Sequence, residues 1–490
     1  MNWRLPDLLQ DRATGVPDVA VPRLVSDSRQ VRRGDVFVAL SAVRGAGHGL
    51  DFVAQAAASG AAAVLVEPVP GRAVPRELPA VVIPDLRREL GVIAARFHGN
   101  PADALFTVGV TGTDGKTTTA WLIAEALERL GKPCRYIGTL GSGRLEALGS
   151  VSHTTPDPLR LQADLAATRD DGMRAVAMEV SSHALDQHRV AGIGFDVAIL
   201  TNLARDHLDY HGAESDYAAA KRRLFTEHCR GVSVLNRDDR WGARWLAEGA
   251  DVIAYGLGGE EGGDVPVVRA ELMRQHRDGM QFVLHAGGKA HAVSTTLMGR
   301  FNLYNLLAAA CALREGGFEW ADVATVLGEV GPPPGRMERF TAPGAPLAVI
   351  DYAHTPNALA AALAAARDHC DGRLILVFGC GGDRDAGKRS LMGEAAAAGA
   401  DQVIVTTDNP RSEDPDAIAA AVVGAHDEFA VIHDRAAAIQ TALASAGEGD
   451  LVLIAGKGHE NVQWVAGVAR PFSDREVVRG WLAHRPGAQA

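Results

Sequence analysis

The chain of 490 residues is long enough for about three domains, and its 47% hydrophobic and 22% charged residues are typical of a soluble globular protein. It contains no apolar run of the roughly 18 to 20 residues that span a bilayer, so we expect no stable membrane insertion. The net charge of −11 argues against nucleic acid as a partner, because neutralising a phosphate backbone requires a basic face.

The N-terminal residues and the cysteines predict a cytoplasmic protein. The first residues, MNWRLPDLLQDRATG, lack the basic segment and apolar core of a signal peptide. The five cysteines are an odd set without metal-ligand spacing, which predicts reduced thiols rather than a disulfide framework.

The first predicted domain covers residues 1–102 and is a small α/β domain. Strands are predicted over 35–40, 62–67 and 80–84, with an alanine-rich helix near 52–59.

The second predicted domain, 103–335, begins with an apolar strand and ends in a stiff Gly-Pro-Pro-Pro-Gly stretch that predicts a hinge. Further strands are predicted over 175–181, 196–202 and 231–236, with helical patterns between them. This alternation predicts a mostly parallel sheet covered by helices.

Residues 105–119, LFTVGVTGTDGKTTT, combine a strand, a glycine-rich turn and the start of a helix. Such a turn presents backbone N–H groups to a phosphate, with Lys116 on the outer phosphates and the Thr117 hydroxyl on Mg²⁺. The match to the P-loop pattern is partial, because Val110 occupies the position of the first glycine. The alternative is a glycine turn with a solvated lysine.

Other positions of the second domain could carry chemistry. Glu179 ends a predicted strand, where a carboxylate could hold Mg²⁺, although it could also be a surface or helix-capping residue. His207 and His211 are four residues apart, as in some zinc sites, but the nearby tyrosine and glycine supply no third ligand and hard oxygen donors dominate, so 201–212 could be a polar turn before a helix. Lys221 lies on a helical pattern and by itself is a surface lysine.

The third predicted domain, 336–490, alternates strands and helices, which predicts a doubly wound sheet with its ligand crevice at the carboxyl ends of the strands. The predicted strands are 347–354, 373–379, 401–407 and 451–456, and the predicted helices are 357–368, 393–400 and 415–427. Two arginines and a glutamate after these strands, Arg384, Arg411 and Glu460, would together suit a zwitterionic amino acid. Each of them alone could equally have a structural role.

Together these motifs resemble the Mur ligase family, the ATP-dependent amide ligases of peptidoglycan synthesis. The resemblance covers nearly the whole chain and rests on GTDGKTTT, HTTPD, MEVSSHALDQHRV, TNLARDHLDYHG, YAAAKRRLF, LMGRFNLYN, GRMERF, DYAHTPNAL, GCGGDRDAGKR, DNPRSEDP and AGKGHE, in that order. It implies a three-domain α/β fold with an N-terminal UDP-binding domain, a central P-loop-type ATPase domain and a C-terminal Rossmann-like domain that binds an amino acid.

The resemblance also implies roles for individual residues. ATP would be bound by Gly112, Thr113, Asp114, Gly115, Lys116, Thr117, Thr118, Asn305, Arg336 and Asp351. Lys221 is similar to the lysine that CO₂ carbamylates in this family, and the resulting carbamate would join Thr117, Glu179 and His207 as a Mg²⁺ ligand. The catalytic residues would be Lys116, Lys221 and His207.

The motifs DNPR and GKGHE, in that order, resemble those of the family member that adds meso-diaminopimelate to UDP-N-acetylmuramoyl-L-alanyl-D-glutamate through an acyl phosphate. The UDP-dipeptide would be bound by Ser26, Ser28, His153, Thr154, Thr155, Ser181, Gln187 and Arg189. Diaminopimelate would be bound by Arg384, Asp408, Asn409, Pro410, Arg411, Gly456 and Glu460. Arg411 would pair with the distal carboxylate, which L-lysine lacks, and His207 and His354 are the candidate bases for the incoming amine.

Two segments depart from the family pattern. Asp114 replaces the usual asparagine and adds negative charge near a polyphosphate, and the loop 41–48 matches so poorly that no uridine contacts are assigned to it. The alternatives are a lysine-adding Mur ligase, a folylpolyglutamate-type synthetase, a P-loop phosphotransferase or NTPase switch, and an inactive UDP-sugar-binding protein. Family precedent implies a monomer.

Overall fold

The computed structural model describes residues 3–42, 47–74, 76–248, 251–258 and 265–484. The chain divides into two compact units. Unit 1 holds Met1–Ala254, Gly263–Pro266 and Cys311–Phe318, and unit 2 holds Tyr255–Gly262, Val267–Ala310 and Glu319–Ala490. The division into three domains after residues 102 and 335 stays a prediction.

The first part of unit 1 is a small α/β layer. Its elements are β1 (Trp3–Arg4), α1 (Leu5–Leu9), β2 (Ala20–Val21), β3 (Leu24–Val25), β4 (Val36–Ala39), α2 (Val53–Ala58), β5 (Ala63–Val66), β6 (Ala80–Val82) and α3 (Leu86–Phe97). Strands β3, β4, β5 and β6 form a parallel sheet in that order. The strands predicted over 35–40, 62–67 and 80–84 and the helix near 52–59 are confirmed as β4, β5, β6 and α2.

The rest of unit 1 is built around a larger sheet. Its elements are β7 (Phe106–Thr111), α4 (Lys116–Arg129), β8 (Cys134–Gly138), β9 (Gly141–Arg144), β10 (Ala147–Gly149), α5 (Pro158–Asp170), β11 (Ala175–Glu179), α6 (Ser182–Asp186), β12 (Phe195–Leu200), α7 (Leu208–His211), α8 (Glu214–Glu227), β13 (Cys229–Asn236), α9 (Arg240–Leu246) and β14 (Val252–Gly256). Strands β8, β11, β7, β12 and β13 are parallel neighbours in that order. Strands β9 and β10 continue the sheet antiparallel beside β8.

The central strands of this sheet are buried on both faces, which explains their nearly continuous apolar runs. Every residue of β11 is buried, and β7 and β12 are buried except for one half-buried residue each. The side chains on both faces must be covered by helices, and the segments between the strands form these helices. Parallel pairing brings the carboxyl ends of β7, β11 and β12 to one edge of the sheet, where the polar residues Gly112, Glu179 and Thr201 follow or end the strands.

Unit 2 combines three antiparallel strands with a doubly wound sheet. Its elements are β15 (Val267–His276), β16 (Gly279–Ala286), β17 (Lys289–Thr295), α10 (Arg300–Glu315), α11 (Trp320–Glu329), β18 (Glu338–Phe340), β19 (Leu347–Asp351), α12 (Pro356–Arg367), β20 (Leu374–Phe378), α13 (Lys388–Gly399), β21 (Gln402–Val405), α14 (Pro415–Val423), β22 (Ala430–Val431), α15 (Arg435–Ser445), β23 (Leu451–Ala455), β24 (Val462–Val465), β25 (Val468–Pro471) and α16 (Asp474–His484). The doubly wound sheet has the order β18-β19-β23-β20-β21-β22, and only its edge strand β18 is antiparallel.

Most predicted elements of the third segment are confirmed, but two helix boundaries were wrong. Helix α13 begins at Lys388 rather than at 393. Helix α14 ends at Val423 rather than at 427, because Gly424 takes a left-handed conformation (φ 54°) that stops the helix. The antiparallel strands β15, β16 and β17 were not predicted, since their alternation of buried and exposed residues is broken in places, as it is near the end of β15.

No helix in the described part of the chain is long and apolar enough to cross a membrane.

Candidate functional site

The loop Gly112–Gly115, here called the phosphate loop, connects β7 to the N-terminus of α4. Gly112 (φ 150°) and Gly115 (φ 83°) both lie in the region that favours glycine. A Cβ atom on Gly112 would overlap the Thr201 side chain, so no larger residue fits there. Because α4 begins directly after the loop, its first backbone N–H groups point toward the loop, as an anion site requires.

Two lysines converge on one carbonyl of this loop. Lys116 Nζ donates to the carbonyl oxygens of Gly112 at 2.8 Å and Thr113 at 2.7 Å. Lys221, which is buried on α8, donates to the same Gly112 oxygen at 2.7 Å. Burial, reinforced by the positive charge of Lys116, holds the pKa of Lys221 well below its usual value. Lys221 is therefore not a surface lysine, and its burial favours the neutral form of its amine.

Glu179 is buried at the end of β11, and several hydrogen bonds fix its carboxylate. Oε2 accepts from the hydroxyls of Thr117 at 2.9 Å and Thr139 at 3.2 Å. Oε1 accepts from the Tyr136 hydroxyl at 2.6 Å and from the Thr139 backbone N–H at 2.7 Å. These contacts exclude the surface-glutamate alternative and place two hard oxygen donors, the Glu179 carboxylate and the Thr117 hydroxyl, beside the phosphate loop. Sequence reasoning did not identify Tyr136 or Thr139, because neither lies in a recognisable motif.

His207 lies in the loop before α7 with a left-handed backbone (φ 51°) and a half-exposed side chain. Its ring lies 4.9 Å from that of His183 and 6.2 Å from that of Tyr217. The Tyr217 hydroxyl in turn lies 3.1 Å from Thr113 Oγ1, which connects this neighbourhood to the phosphate loop. Within the described ranges, no three His, Cys, Asp or Glu side chains are grouped as metal ligands, so a zinc site at His207 and His211 has no third ligand of these types.

The backbone of Asp114 is held by the segment after β12, while its side chain is exposed. Its N–H donates to Asn202 Oδ1 at 3.0 Å, and its carbonyl accepts from Thr201 Oγ1 at 2.6 Å and from Asn202 Nδ2 at 3.1 Å. The aspartate thus keeps the loop conformation through its main chain, and its carboxylate points to solvent.

Part of the predicted UDP-dipeptide set forms one hydrogen-bonded group. Thr155 Oγ1 donates to the carbonyl of Glu179 at 2.9 Å and accepts from the Ser181 backbone N–H at 3.1 Å. Arg189 donates to the Thr155 carbonyl at 2.9 Å and to Gln187 Oε1 at 2.7 Å. This group continues directly from the Glu179 strand end.

The other predicted UDP-dipeptide residues have separate surroundings. Thr154 lies 3.2 Å from Thr139 through their hydroxyls, and His153 is exposed. Ser28 donates to Gln55 at 2.8 Å and Ser26 is exposed, both after β3. In the loop 41–48, residues 43–46 lie outside the described residues.

A second polar group in unit 2 lies where β21 and β23 end. We call Asp408, Asn409, Lys457 and Glu460 the amino-acid cluster. Glu460 Oε2 accepts from Asn409 Nδ2 at 2.9 Å and from Lys457 Nζ at 3.0 Å. Although burial opposes ionisation of Glu460, these hydrogen bonds hold its pKa below the usual value. Burial raises the pKa of Asp408, and a Cβ atom on Gly456 would lie 2.8 Å from Asp408 Oδ2.

Arg411 has a left-handed backbone (φ 53°) and is fixed by neighbouring loops. Its N–H donates to the Trp464 carbonyl at 3.0 Å, and its guanidinium donates to the Gly382 carbonyl at 2.6 Å. Arg384 is exposed and, like Arg411, lies beside Gly381. The turn at Pro410, which is buried, places the Arg411 guanidinium against the loop that follows β20.

The remaining predicted nucleotide residues lie in unit 2. The Arg336 guanidinium lies 4.6 Å from the Tyr352 ring centre. Asp351 ends β19 and accepts backbone N–H bonds from Met337 at 2.9 Å and Ala353 at 2.8 Å. Asn305 is buried on α10, where its amide donates to Asn302 at 2.8 Å.

Comparisons with known proteins agree with this architecture. The family described as "Mur ligase middle domain" matches residues 110–313, and the family described as "Mur ligase, glutamate ligase domain" matches residues 335–458. Two curated relatives carry the name UDP-N-acetylmuramoyl-L-alanyl-D-glutamate–2,6-diaminopimelate ligase. The relative from Xanthomonas campestris pv. campestris is 49% identical over 99% of this chain and 98% of its own length. The relative from Pseudomonas aeruginosa is 45% identical over 95% of this chain and 96% of its own.

Solved structures are similar over the same extent. A structure of a UDP-N-acetylmuramoyl-L-alanyl-D-glutamate–2,6-diaminopimelate ligase superposes with a TM-score of 0.75 at 36% identity, covering 98% of each chain. MurF from Acinetobacter baumannii shares the fold with a TM-score of 0.64 at 22% identity, covering 99% of each chain. With relatives near 50% identity along nearly its whole length, this chain belongs to the Mur ligase family.

Proposed function

We propose that this protein is the ligase that joins meso-diaminopimelate to the D-glutamate γ-carboxylate of UDP-N-acetylmuramoyl-L-alanyl-D-glutamate, using ATP, in peptidoglycan precursor synthesis. The observation that carries the proposal is the amino-acid cluster with Arg411 beside it. Carboxylates that can hold an ammonium, and a guanidinium that can hold a carboxylate, both lie in loops that follow strands of the doubly wound sheet, where such sheets bind ligands.

ATP would bind at the phosphate loop, and Asn305, Arg336 and Asp351 would also bind the nucleotide. The glycine conformations, the α4 N-terminus and Lys116 suit a polyphosphate. We also propose that the domains are 1–102 for the UDP-sugar, 103–335 for ATP and 336–490 for the amino acid, with movement at 331–335 closing the last over the second.

Mg²⁺ would be held by Thr117, Glu179, His207 and a carbamate on Lys221. The fit rests on the hard oxygens of Glu179 and Thr117 and on the buried amine of Lys221, whose neutral form can add CO₂. When bound, the metal offsets the charge that builds up on the transferred phosphoryl group.

The reaction would proceed in two steps. The D-glutamate γ-carboxylate attacks the γ-phosphorus of ATP, ADP leaves, and an acyl phosphate forms. Lys116 stabilises the charge on the transferred group. The neutral amine of diaminopimelate then attacks the acyl carbon, loses a proton to His354, the candidate base that is not also a proposed metal ligand, and inorganic phosphate leaves with the C–O bond electrons.

Two sets of residues would bind the two substrates. Ser26, Ser28, His153, Thr154, Thr155, Ser181, Gln187 and Arg189 would bind the UDP-dipeptide, and Arg384, Asp408, Asn409, Pro410, Arg411, Gly456 and Glu460 would bind diaminopimelate. The protein would act as a cytoplasmic monomer, in keeping with its five free cysteines.

One assay tests the function. Purified protein is given ATP, Mg²⁺ and the UDP-dipeptide, with meso-diaminopimelate, L-lysine or no amine, and phosphate release is measured. We expect release to depend on the UDP-dipeptide and to be fastest with meso-diaminopimelate. Preference for L-lysine would indicate the lysine-adding ligase instead. Release without the UDP-dipeptide would indicate an NTPase, and no release with all reactants would refute the proposal.

A further inference from the structure

Lys457 has a fully buried side chain, in the loop that follows β23. Gly456 (φ 115°) and Gly458 (φ 54°) flank it, and both have positive φ values. A Cβ atom on Gly458 would lie 2.8 Å from the Gly335 carbonyl oxygen, so this side of the loop packs against backbone. The glycines thus allow the turn that places Lys457 inside the protein.

A buried ammonium is costly unless its charge is compensated, and the partners of Lys457 compensate it. Its Nζ donates to Glu460 Oε2 at 3.0 Å and to Asn409 Oδ1 at 3.2 Å. Asp408 Oδ1 lies 3.7 Å away and has no hydrogen-bond partner among the described residues. Lys457 therefore contacts every other member of the amino-acid cluster.

The contacts also fix the orientation of the Asn409 and Glu460 side chains. Asn409 is held through Oδ1 by Lys457 and by the Trp464 backbone N–H at 3.0 Å, which turns its amide nitrogen to Glu460. Both hydrogen bonds to the Glu460 carboxylate go to Oε2. Oε1 is then the oxygen that can meet a ligand, and the Glu460 side chain is 30% exposed.

The charges of the buried neighbourhood leave an excess of one negative charge. Asp408 and Glu460 contribute two carboxylates against the one ammonium of Lys457. The adjacent buried ion pair of Arg435 and Asp474, at 2.7 Å, is neutral as a pair. One further cation, such as the ammonium group of an amino acid, would neutralise the remaining negative charge.

We propose that Lys457 is a positioning residue for the amino-acid substrate: it orients Glu460 and Asn409 and neutralises one of two buried carboxylates, so that the cluster accepts one ammonium group. This inference rests on the proposed function, since it concerns the amine substrate of that reaction. A lysine with only a structural role would stabilise the loop, and its replacement would not change KM for one substrate more than for the others.

The test compares Lys457→Met with the wild-type protein and with Lys132→Met. Lys132 is a partly buried lysine of unit 1 that donates to the Gly316 carbonyl at 2.7 Å, away from both polar groups. In Lys457→Met we expect KM for meso-diaminopimelate to rise on the order of 30-fold, or about 2 kcal/mol, while KM for ATP and for the UDP-dipeptide stays within about 3-fold. Lys132→Met should leave all three within that range.

A double variant keeps the test decisive if Lys457→Met alone fails to fold. Lys457→Met/Glu460→Gln removes one positive and one negative charge together, and it is compared with Glu460→Gln. If Lys457 acts through Glu460, adding Lys457→Met to Glu460→Gln raises KM for diaminopimelate by less than about 3-fold over Glu460→Gln alone. Independent, multiplying effects, or an equal rise in all three KM values, would overturn the inference. A wild-type protein that does not turn over diaminopimelate would instead refute the proposed function.

Discussion

The phosphate loop of unit 1 and the amino-acid cluster of unit 2 lie at the same kind of position, the carboxyl ends of parallel strands, but they are built differently. The phosphate loop is a run of consecutive residues shaped by two glycines and a helix start. The amino-acid cluster joins residues from the loops after β21 and β23, and side chains of both charges hold one another.

The difference follows from the chemistry of the two ligands. A polyphosphate carries charge of one sign, and backbone N–H groups with one lysine can match it from a single short segment. An amino acid carries both signs, so its site needs separated cations and carboxylates, which one tight loop cannot provide. The second site therefore depends on charged side chains from several segments at once.

The largest effect that would sharpen this comparison is expected at Lys221. In Lys221→Ala we expect ligase activity to fall on the order of 10³-fold, because a metal ligand beside the phosphate loop is lost. Added short carboxylic acids should restore part of the activity. Activity is measured as phosphate release with all three reactants.

Lys221→Arg is the matched control, since it keeps a positive charge but cannot form the carbamate. It should be as inactive as the alanine variant. Substantial activity in either variant without added acid would contradict a role for the carbamate.

The next effect is expected at Arg411. Arg411→Ala should lower kcat/KM for meso-diaminopimelate about 10²-fold, because a buried charged contact with the distal carboxylate is lost. The slow turnover of L-lysine, which lacks that carboxylate, should be unchanged. Equal losses with both amines would mean that Arg411 supports the loop and does not select the substrate.

A smaller effect is expected from the hydroxyl that supports Glu179. Tyr136→Phe removes a 2.6 Å hydrogen bond, and we expect the Mg²⁺ concentration for half-maximal activity to rise about 10-fold. The measurement is a Mg²⁺ titration at saturating substrates. Tyr210→Phe, which removes a hydroxyl bonded to Asp186 at 2.7 Å, should leave the Mg²⁺ requirement unchanged. Identical titrations for Tyr136→Phe and the wild type would count against the metal site.

The last prediction concerns the pH dependence of stability rather than activity, and it involves one histidine in each unit. Burial lowers the pKa of His228 in unit 1 to about 4, and burial together with the charge of Arg336 lowers the pKa of His459 in unit 2 to about 4. In the unfolded chain these histidines bind protons below about pH 6.5, whereas in the folded protein they do so only near pH 4. Their contribution to the free energy of unfolding is therefore complete above pH 6.5 and is lost as pH falls toward 4. Between pH 7.5 and pH 5 we expect each histidine to account for about 2 kcal/mol of that loss.

Chemical unfolding at pH 7.5 and pH 5 measures this effect. His228→Gln and His459→Gln should each reduce the difference in unfolding free energy between the two pH values. A difference that stays the same in both variants would show that other groups cause the acid sensitivity.

The sequence predicted much of the fold because most sheet strands are buried and parallel. Runs such as the one ending in Glu179 are continuously apolar, and the polar residue that follows each run marks the strand end. The antiparallel strands β15 to β17 escaped prediction, because their broken alternation resembles a polar loop.

The candidate sites divide in the same way. The phosphate loop was visible as a motif, whereas Tyr136 and Thr139, which support the Glu179 carboxylate, reach it only through the pairing of β8 with β11. Glu460 was recognised in GKGHE, but Lys457 of the same motif was not. A lysine in a glycine-rich loop reads as solvated, and only the fold shows that it is buried.

The hydrogen bonds that the β24–β25 hairpin makes with Asn409 and Arg411 bear on attempts to transplant substrate choice. The Trp464 N–H donates to Asn409, its carbonyl accepts from the Arg411 N–H, and the Ala466 N–H donates to the Arg411 carbonyl at 2.7 Å. A graft of the four letters DNPR into another ligase would leave these two side chains without their scaffold. Redesign of amino-acid preference would have to move the hairpin and the GKGHE loop together with the tetrapeptide.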